Sequence, residues 1–233
     1  MGSWSNPQRS KPGKIDSSAF ENAEKKFLES GGRFKEFELS DLFEIRSSKK
    51  IFHAQNIEIF ENQKKGTFPY VVRSTLNNGI RGYISEGKSS LNPGNTLSFA
   101  QDTFSVFYQK QPFYTGNKVK VLVPKFENFN RELAISFAAD FQKVLESFTW
   151  GKGSTVDTIS RIKITLPVKK SGEIAFNYME ERIKELEHER IKELEAYLQI
   201  TGLRDYQLSA EENRVLAEFN DLIENPHTHT HTD

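Results

Sequence analysis

Between Arg73 and Tyr83 the chain concentrates side chains that can read or grip a nucleic acid: Arg73, Ser74, Thr75, Asn77, Asn78, Arg81 and Tyr83. Arginine can bond guanine bidentately, asparagine adenine, and hydroxyls can meet base edges or phosphates. In Leu76-Asn77-Asn78-Gly79 the Asn and Gly tolerate the positive φ that a tight hairpin demands. A hairpin is narrow enough to enter a major groove. An ordinary polar turn has the same composition, so the residue types alone leave both readings open. Two further polar, cationic loops, Tyr114–Lys118 and Trp150–Thr155, could complete a concave surface through Asn117, Lys118, Lys152 and Ser154.

Other chemistry has little to stand on. The sequence holds no Gly-x4-Gly-Lys-Ser/Thr phosphate loop, no Gly-x-Gly-x-x-Gly fingerprint and no Gly-x-Ser-x-Gly elbow. It lacks the Asp/Asn-Pro-Pro-Tyr/Phe signature expected of an amino-methyltransferase, and it has no Cys for a nucleophile, a thiolate metal site or a disulfide. His53 and His188 are isolated, which favours surface or packing roles. His227, His229 and His231 alternate with Thr in what reads as a tail. A non-catalytic chain without cofactor or metal is expected.

The 233 residues carry 32 Lys+Arg and 32 Asp+Glu, yet the charges are segregated. Residues 1–172 hold a net charge of +9 and residues 173–233 a net charge of −9. Phosphate binding needs local cations rather than a basic average, so the neutral total does not exclude DNA. No apolar run approaches the roughly 20 residues that span a bilayer. Met1–Lys14 lacks the hydrophobic core of a secretory signal. A cytoplasmic protein with no membrane contact is expected.

The elements that would position the hairpin alternate short apolar runs with turn signals. Strands are expected at Phe37–Ile45, Phe68–Val72, Gly79–Ile84, Thr96–Ala100, Thr103–Tyr108 and Val119–Val123, with Asn92-Pro93-Gly94-Asn95 as a second turn. The N-terminal 33 residues form a separate segment with a short helix from Ser18 to Ser30. A helix from Asn130 to Phe148 places Leu133, Phe137, Phe141, Leu145 and Phe148 on one stripe. Arg161–Leu166 is a last strand, stopped at Pro167. The expected fold is α+β: an irregular, mainly antiparallel sheet with a packed helix over residues 34–172, followed by a long spacer helix.

That helix runs from Glu173 to about Ile200. Phe176, Met179, Ile183, Leu186, Ile191, Leu194, Tyr197 and Leu198 fall within about 140° of arc at 100° per residue. The segment Glu181–Glu187 recurs as Glu189–Glu195, an offset of eight that is not a clean heptad. Such a narrow seam needs a partner helix, from this chain or another. Gly202 closes the helix, and Ser209 with Glu212 forms a capping box for a last helix to about Ile223. Residues 201–225 form this capped segment and 226–233 the tail.

The order of these pieces resembles the target recognition domain of type I restriction-modification specificity subunits. Phe37–Ile45 is similar to the opening segment of that family, and Phe68–Ile84 to its next block, through Tyr-Val, Arg-Ser-Thr, Asn-Asn-Gly-Ile and Gly-Tyr. Thr115-Gly116-Asn117-Lys118-Val119 is similar to a later block. Ile164-Thr165-Leu166-Pro167-Val168 before a long helix resembles the exit into the spacer. The specificity subunits of type IIB systems, which cut on both sides of their site, share these features.

The resemblance implies a sequence-specific binder of double-stranded DNA that directs a methyltransferase subunit and, in some systems, a restriction subunit. It also implies a spacer helix that pairs antiparallel with another. Full-length members carry two such halves and this chain shows one, so it is either a half-subunit that forms a homodimer or a portion of a longer chain. A homodimer would join through Met179, Ile183, Leu186, Ile191, Leu194 and Leu198. Two other readings stay open: a reading domain from a fused methyltransferase-nuclease, and a non-DNA interaction protein built on the coiled helix.

Overall fold

A computed structural model describes residues 18–145, 155–203 and 207–224. The chain divides into one compact unit through Leu186 and a second from Glu187. The first begins with helix α1 (Ser18–Glu29) and strand β1 (Arg33–Glu38), then a helical turn α2 (Leu39–Leu42) and β2 (Phe43–Ser47). Next come β3 (Phe68–Val71), β4 (Ile80–Ile84), β5 (Thr96–Ala100), β6 (Ser105–Gln109), β7 (Tyr114–Thr115) and β8 (Val119–Pro124). Helix α3 (Arg131–Leu145), the short α4 (Val156–Ser160) and β9 (Lys163–Val168) precede the long α5 (Phe176–Ile200).

The α+β class holds, with three small sheets in place of one irregular sheet. β1 pairs antiparallel with β9, and β2-β8-β5-β6 form a four-stranded antiparallel sheet. The third sheet, β4-β3-β7, joins an antiparallel hairpin to a parallel pair.

The expected strand Phe37–Ile45 is broken in the middle. Leu39 and Leu42, three apart, are buried together on one helical turn, and the backbone N–H of Glu38 donates to Asp41 Oδ2 at 3.1 Å. This turn moves the chain from one sheet to another. The expected strand Thr103–Tyr108 starts at Ser105, because Phe104 takes φ +51° in the preceding turn. β9 runs through Pro167, which the sequence marked as a stop. β1 is the one named strand that pairs with β9, so Pro167 lies on an edge strand, where a missing N–H is tolerated, and on its far side the Pro167 carbonyl accepts from the Ala175 N–H at 2.9 Å.

The main core lies between the four-stranded sheet and α3. Phe43, Ile45, Leu97, Phe99 and Leu122 from the sheet meet Leu133, Phe137, Phe141 and Leu145 from the helix, all buried. Of the expected stripe only Phe148 lies outside the described residues. Phe43 meets Phe137 edge-on at 5.2 Å, a favoured aromatic geometry. Each fully buried side chain of this size stabilises by about 1.5–3 kcal/mol. A smaller core of Phe52, Tyr70, Ile84 and Tyr114 supports the three-stranded sheet. Both tyrosines satisfy their hydroxyls there, Tyr70 donating to the Phe52 carbonyl at 2.7 Å and Tyr114 to the Glu86 carbonyl at 2.6 Å.

Helix α5 contributes its first three turns to this unit. Met179 and Ile183 are buried, Met179 within the main core, and Tyr178 stacks on Phe27 of α1 at 4.1 Å. Two residues expected at a dimer seam are therefore spent on the chain's own domain. Met179 shares its cluster with Ile164 and Leu166 of β9 and with Leu133 and Phe137 of α3. In the second unit, Ile191, Leu194 and Tyr197 of α5 are exposed. Gly202 follows the helix at φ +71°. Helix α6 (Ala210–Glu224) opens on the expected capping box: the Ser209 N–H donates to Glu212 Oε2 at 2.9 Å and the Glu212 N–H to Ser209 Oγ at 3.3 Å. No helix among the described residues is long and apolar enough to cross a membrane.

Candidate nucleic-acid interface

Strand register brings four separate segments to one end of the first unit. In the four-stranded sheet, the end of β2 lies beside the start of β8, and the end of β5 beside the start of β6: Ser47 faces Lys120, and Ala100 faces Val119 and Ser105. In the three-stranded sheet, Val71 at the end of β3 faces Ile80 at the start of β4 and Thr115 at the end of β7. The exit of β2 and the β3–β4, β5–β6 and β7–β8 turns therefore share one end. Over residues 46–50, 72–81, 101–104 and 116–120 they carry seven Lys or Arg and one Asp.

The β3–β4 loop is held by its own backbone and by the neighbouring sheet. Asn77, Asn78 and Gly79 have φ of +47°, +52° and +74°, the left-handed conformations that Asn and Gly adopt most readily. The Gly79 N–H donates to the Leu76 carbonyl at 2.9 Å, and Asn77 Nδ2 donates to the Ile80 carbonyl at 3.1 Å. From below, buried Gln109 donates to the Asn78 carbonyl at 2.9 Å and buried Ser105 to the Ser74 carbonyl at 3.3 Å. Leu76, Thr75, Asn77 and Asn78 stand exposed above this base.

Three loops are joined by one carboxylate. Asp102 on the β5–β6 turn accepts from the Arg73 guanidinium and, at 3.1 Å, from Lys118 Nζ on the β7–β8 turn. Partial burial would raise the Asp102 pKa, but the hydrogen bonds from Lys118 and Arg73 and their positive charges outweigh it and lower it. The carboxylate thus stays ionised and holds both cations in place. Lys118 sits at φ +59° and its carbonyl accepts from the Gln101 N–H at 3.0 Å, a second tie between the same turns.

The structure brings together Arg73, Ser74, Thr75, Asn77, Asn78, Asn117 and Lys118. The Ser74 hydroxyl accepts from the Leu76 N–H at 3.1 Å, so it shapes the loop. Arg81 is exposed just beyond the loop on β4, close enough to Tyr70 for its charge to act on that phenol. Tyr83 lies apart from the cluster. It is half-buried further along β4, where its backbone exchanges two 2.8 Å hydrogen bonds with Phe60. Lys152 and Ser154 lie outside the described residues.

Several contributors were not singled out from sequence. Lys49 and Lys50 are exposed after β2, and Lys120 Nζ donates to Ser47 Oγ at 3.0 Å at the same end. Asp102 is the more consequential omission. It is separated by 29 residues from Arg73 and by 16 from Lys118, and no local spacing links the three.

The family model for the type I restriction modification DNA specificity domain matches residues 32–196. The chain is similar to the type II restriction enzyme specificity subunit S.BcgI of Heyndrickxia coagulans, at 26% identity over 156 residues, covering 66% of this chain and 44% of that protein. Its fold is similar to the S subunit of a type I restriction-modification system from M. genitalium, with a TM-score of 0.50 at 17% identity over 82% of this chain and 48% of that one. It is also similar to a chain from a study of complex assembly and conformational transition of the type I R-M system. That match has a TM-score of 0.51 at 11% identity, over 88% of this chain and 52% of the other. This chain spans about half the length of the relatives it matches.

Proposed function

The chain belongs to the type I restriction modification DNA specificity domain family, and from that premise we propose that it reads DNA sequence for a restriction-modification complex and catalyses no reaction itself. The observation that supports this best is the cationic end of the first unit, where hydrogen-bonded loops from two sheets hold Arg73 and Lys118 around Asp102. Fixed arginine and asparagine side chains on a narrow hairpin suit base edges in a major groove, and the surrounding lysines suit phosphates. Arg73, Thr75, Asn77, Asn78 and Arg81 contact bases or phosphates in this reading, and Lys118 and Lys152 position the duplex.

The partners are double-stranded DNA, a methyltransferase subunit and, where the system cleaves, a restriction subunit, all in the cytoplasm. Two copies join through the distal half of α5, where Ile191 and Leu194 are more than half exposed. The two readers of a two-fold dimer then meet inverted half-sites.

Duplex binding measured across a salt series tests the reading. A steep fall in affinity with salt is expected from phosphate contacts. Co-expression with a methyltransferase subunit should then yield one methylated motif across host DNA. Salt-independent or absent duplex binding, or an unmethylated genome in an assembled complex, overturns it.

A further inference from the structure

Leu76 is 75% exposed, the most open of the large apolar side chains among the described residues of the first unit. Single exposed leucines are common on protein surfaces and ordinarily need no explanation. Two features set this one apart. It stands on the β3–β4 loop among Thr75, Asn77 and Asn78, at the end of the unit where the cations gather. Its backbone is also fixed on both sides. The Leu76 N–H and carbonyl are both engaged, by Ser74 Oγ and the Gly79 N–H, and buried Ser105 and Gln109 anchor residues 74 and 78. A leucine held outward on a hydrogen-bonded loop adds little to the fold, because three-quarters of it faces solvent.

We propose that Leu76 is a base-reading residue that packs against the C5-methyl group of a thymine in the major groove. The inference rests on the DNA-reading function above. Thymine is the base that offers an apolar handle on its major-groove edge, and apolar side chains pack against its C5-methyl group. The polar neighbours Asn77 and Asn78 would read adjoining edges, so one loop tip would combine hydrogen-bond and methyl recognition.

The test starts from a random duplex library selected on the full chain. Each thymine of the selected duplex is then replaced in turn by deoxyuridine, which removes only the methyl group. At one position the wild-type chain should lose affinity about four-fold, the worth of one buried methyl group. Leu76→Ala should bind thymine and deoxyuridine equally there, while Leu76→Met, which keeps an apolar tip, should retain discrimination. Because the side chain is exposed, melting curves of both variants should overlay that of the wild type. Indifference of the wild type to every deoxyuridine, or full discrimination by Leu76→Ala, overturns the role of Leu76 while leaving DNA reading intact. A selection that enriches no duplex overturns DNA reading itself and the inference with it.

Discussion

Arg73 on the β3–β4 loop and Asp102 on the β5–β6 turn form an ion pair that Lys118 joins from a third loop, with its Nζ 3.1 and 3.2 Å from the two carboxylate oxygens. Partly exposed pairs of this kind contribute at most about 1 kcal/mol to stability. Their consequence is placement: two long cationic side chains share one anchor and lose much of their freedom before any ligand arrives. A duplex phosphate would meet a charge arrangement already set, in competition with Asp102.

Asp102→Asn should therefore tighten binding to unrelated duplexes while weakening the preference for the target. Releasing the two cations from a competing carboxylate should steepen the slope of log affinity against log salt by about 1. Titrations on target and scrambled duplexes at several salt concentrations would measure both effects. An unchanged slope would mean that neither cation faces phosphate.

The same carboxylate makes a pH prediction. Its pKa is lowered in the folded chain, so the stabilisation it gives is present at neutral pH and above its unfolded pKa. It is lost as pH falls through the folded value, below the ordinary carboxylate range. Melting curves of wild type and Asp102→Asn should converge as pH drops through that region and stay separated above it. The separation should be small, given the exposure of the pair.

Gln109 tests whether the sheet beneath the loop matters. Its buried amide donates to the Asn78 carbonyl and, at 3.0 Å, to Ser98 Oγ. Gln109→Leu should destabilise the domain by about 1–3 kcal/mol through the loss of both hydrogen bonds, although the Ser98 hydroxyl keeps its bond to the Phe107 carbonyl. It should also broaden base selectivity, since Asn77 and Asn78 lose their support. Urea denaturation reads the first effect and binding to a panel of single-base variants the second. Normal selectivity in a destabilised protein would show that the loop positions itself unaided.

The loop itself was legible in the sequence because its conformation is a local matter. Asn77, Asn78 and Gly79 occur where three consecutive positive φ angles are required, and those residue types tolerate them best. The α3 stripe was legible for a similar reason, as helical periodicity survives in any context that buries one face. Non-local pairing was not. The two-residue β7 exists only because Tyr114 and Thr115 lie beside Tyr70 and Val71, and nothing in a two-residue segment announces a parallel partner. The α2 turn was hidden because Phe37, Leu39, Phe43 and Ile45 mimic strand alternation around it. Asp102 looked like any loop carboxylate until folding set it between cations from two other loops.

The long helix offers the sharpest contrast, because its apolar residues read as one seam and serve two environments. Met179 is 1% exposed in the main core, whereas Leu194 is 57% exposed in the second unit. Met179→Ala should therefore cost about 2–5 kcal/mol of domain stability by leaving a cavity. Leu194→Asp, on the exposed half, should leave the melting of the first unit unchanged. If two copies join through that half, the buried charge should shift the chain from dimer to monomer, since an unpaired carboxylate is costly in an apolar interface. Light scattering would show the mass halve, and DNA binding should become weaker as one reader replaces two. A monomeric wild type, or a dimer that survives Leu194→Asp together with Ile191→Asp, would mean that the exposed half of α5 is not the joint between copies.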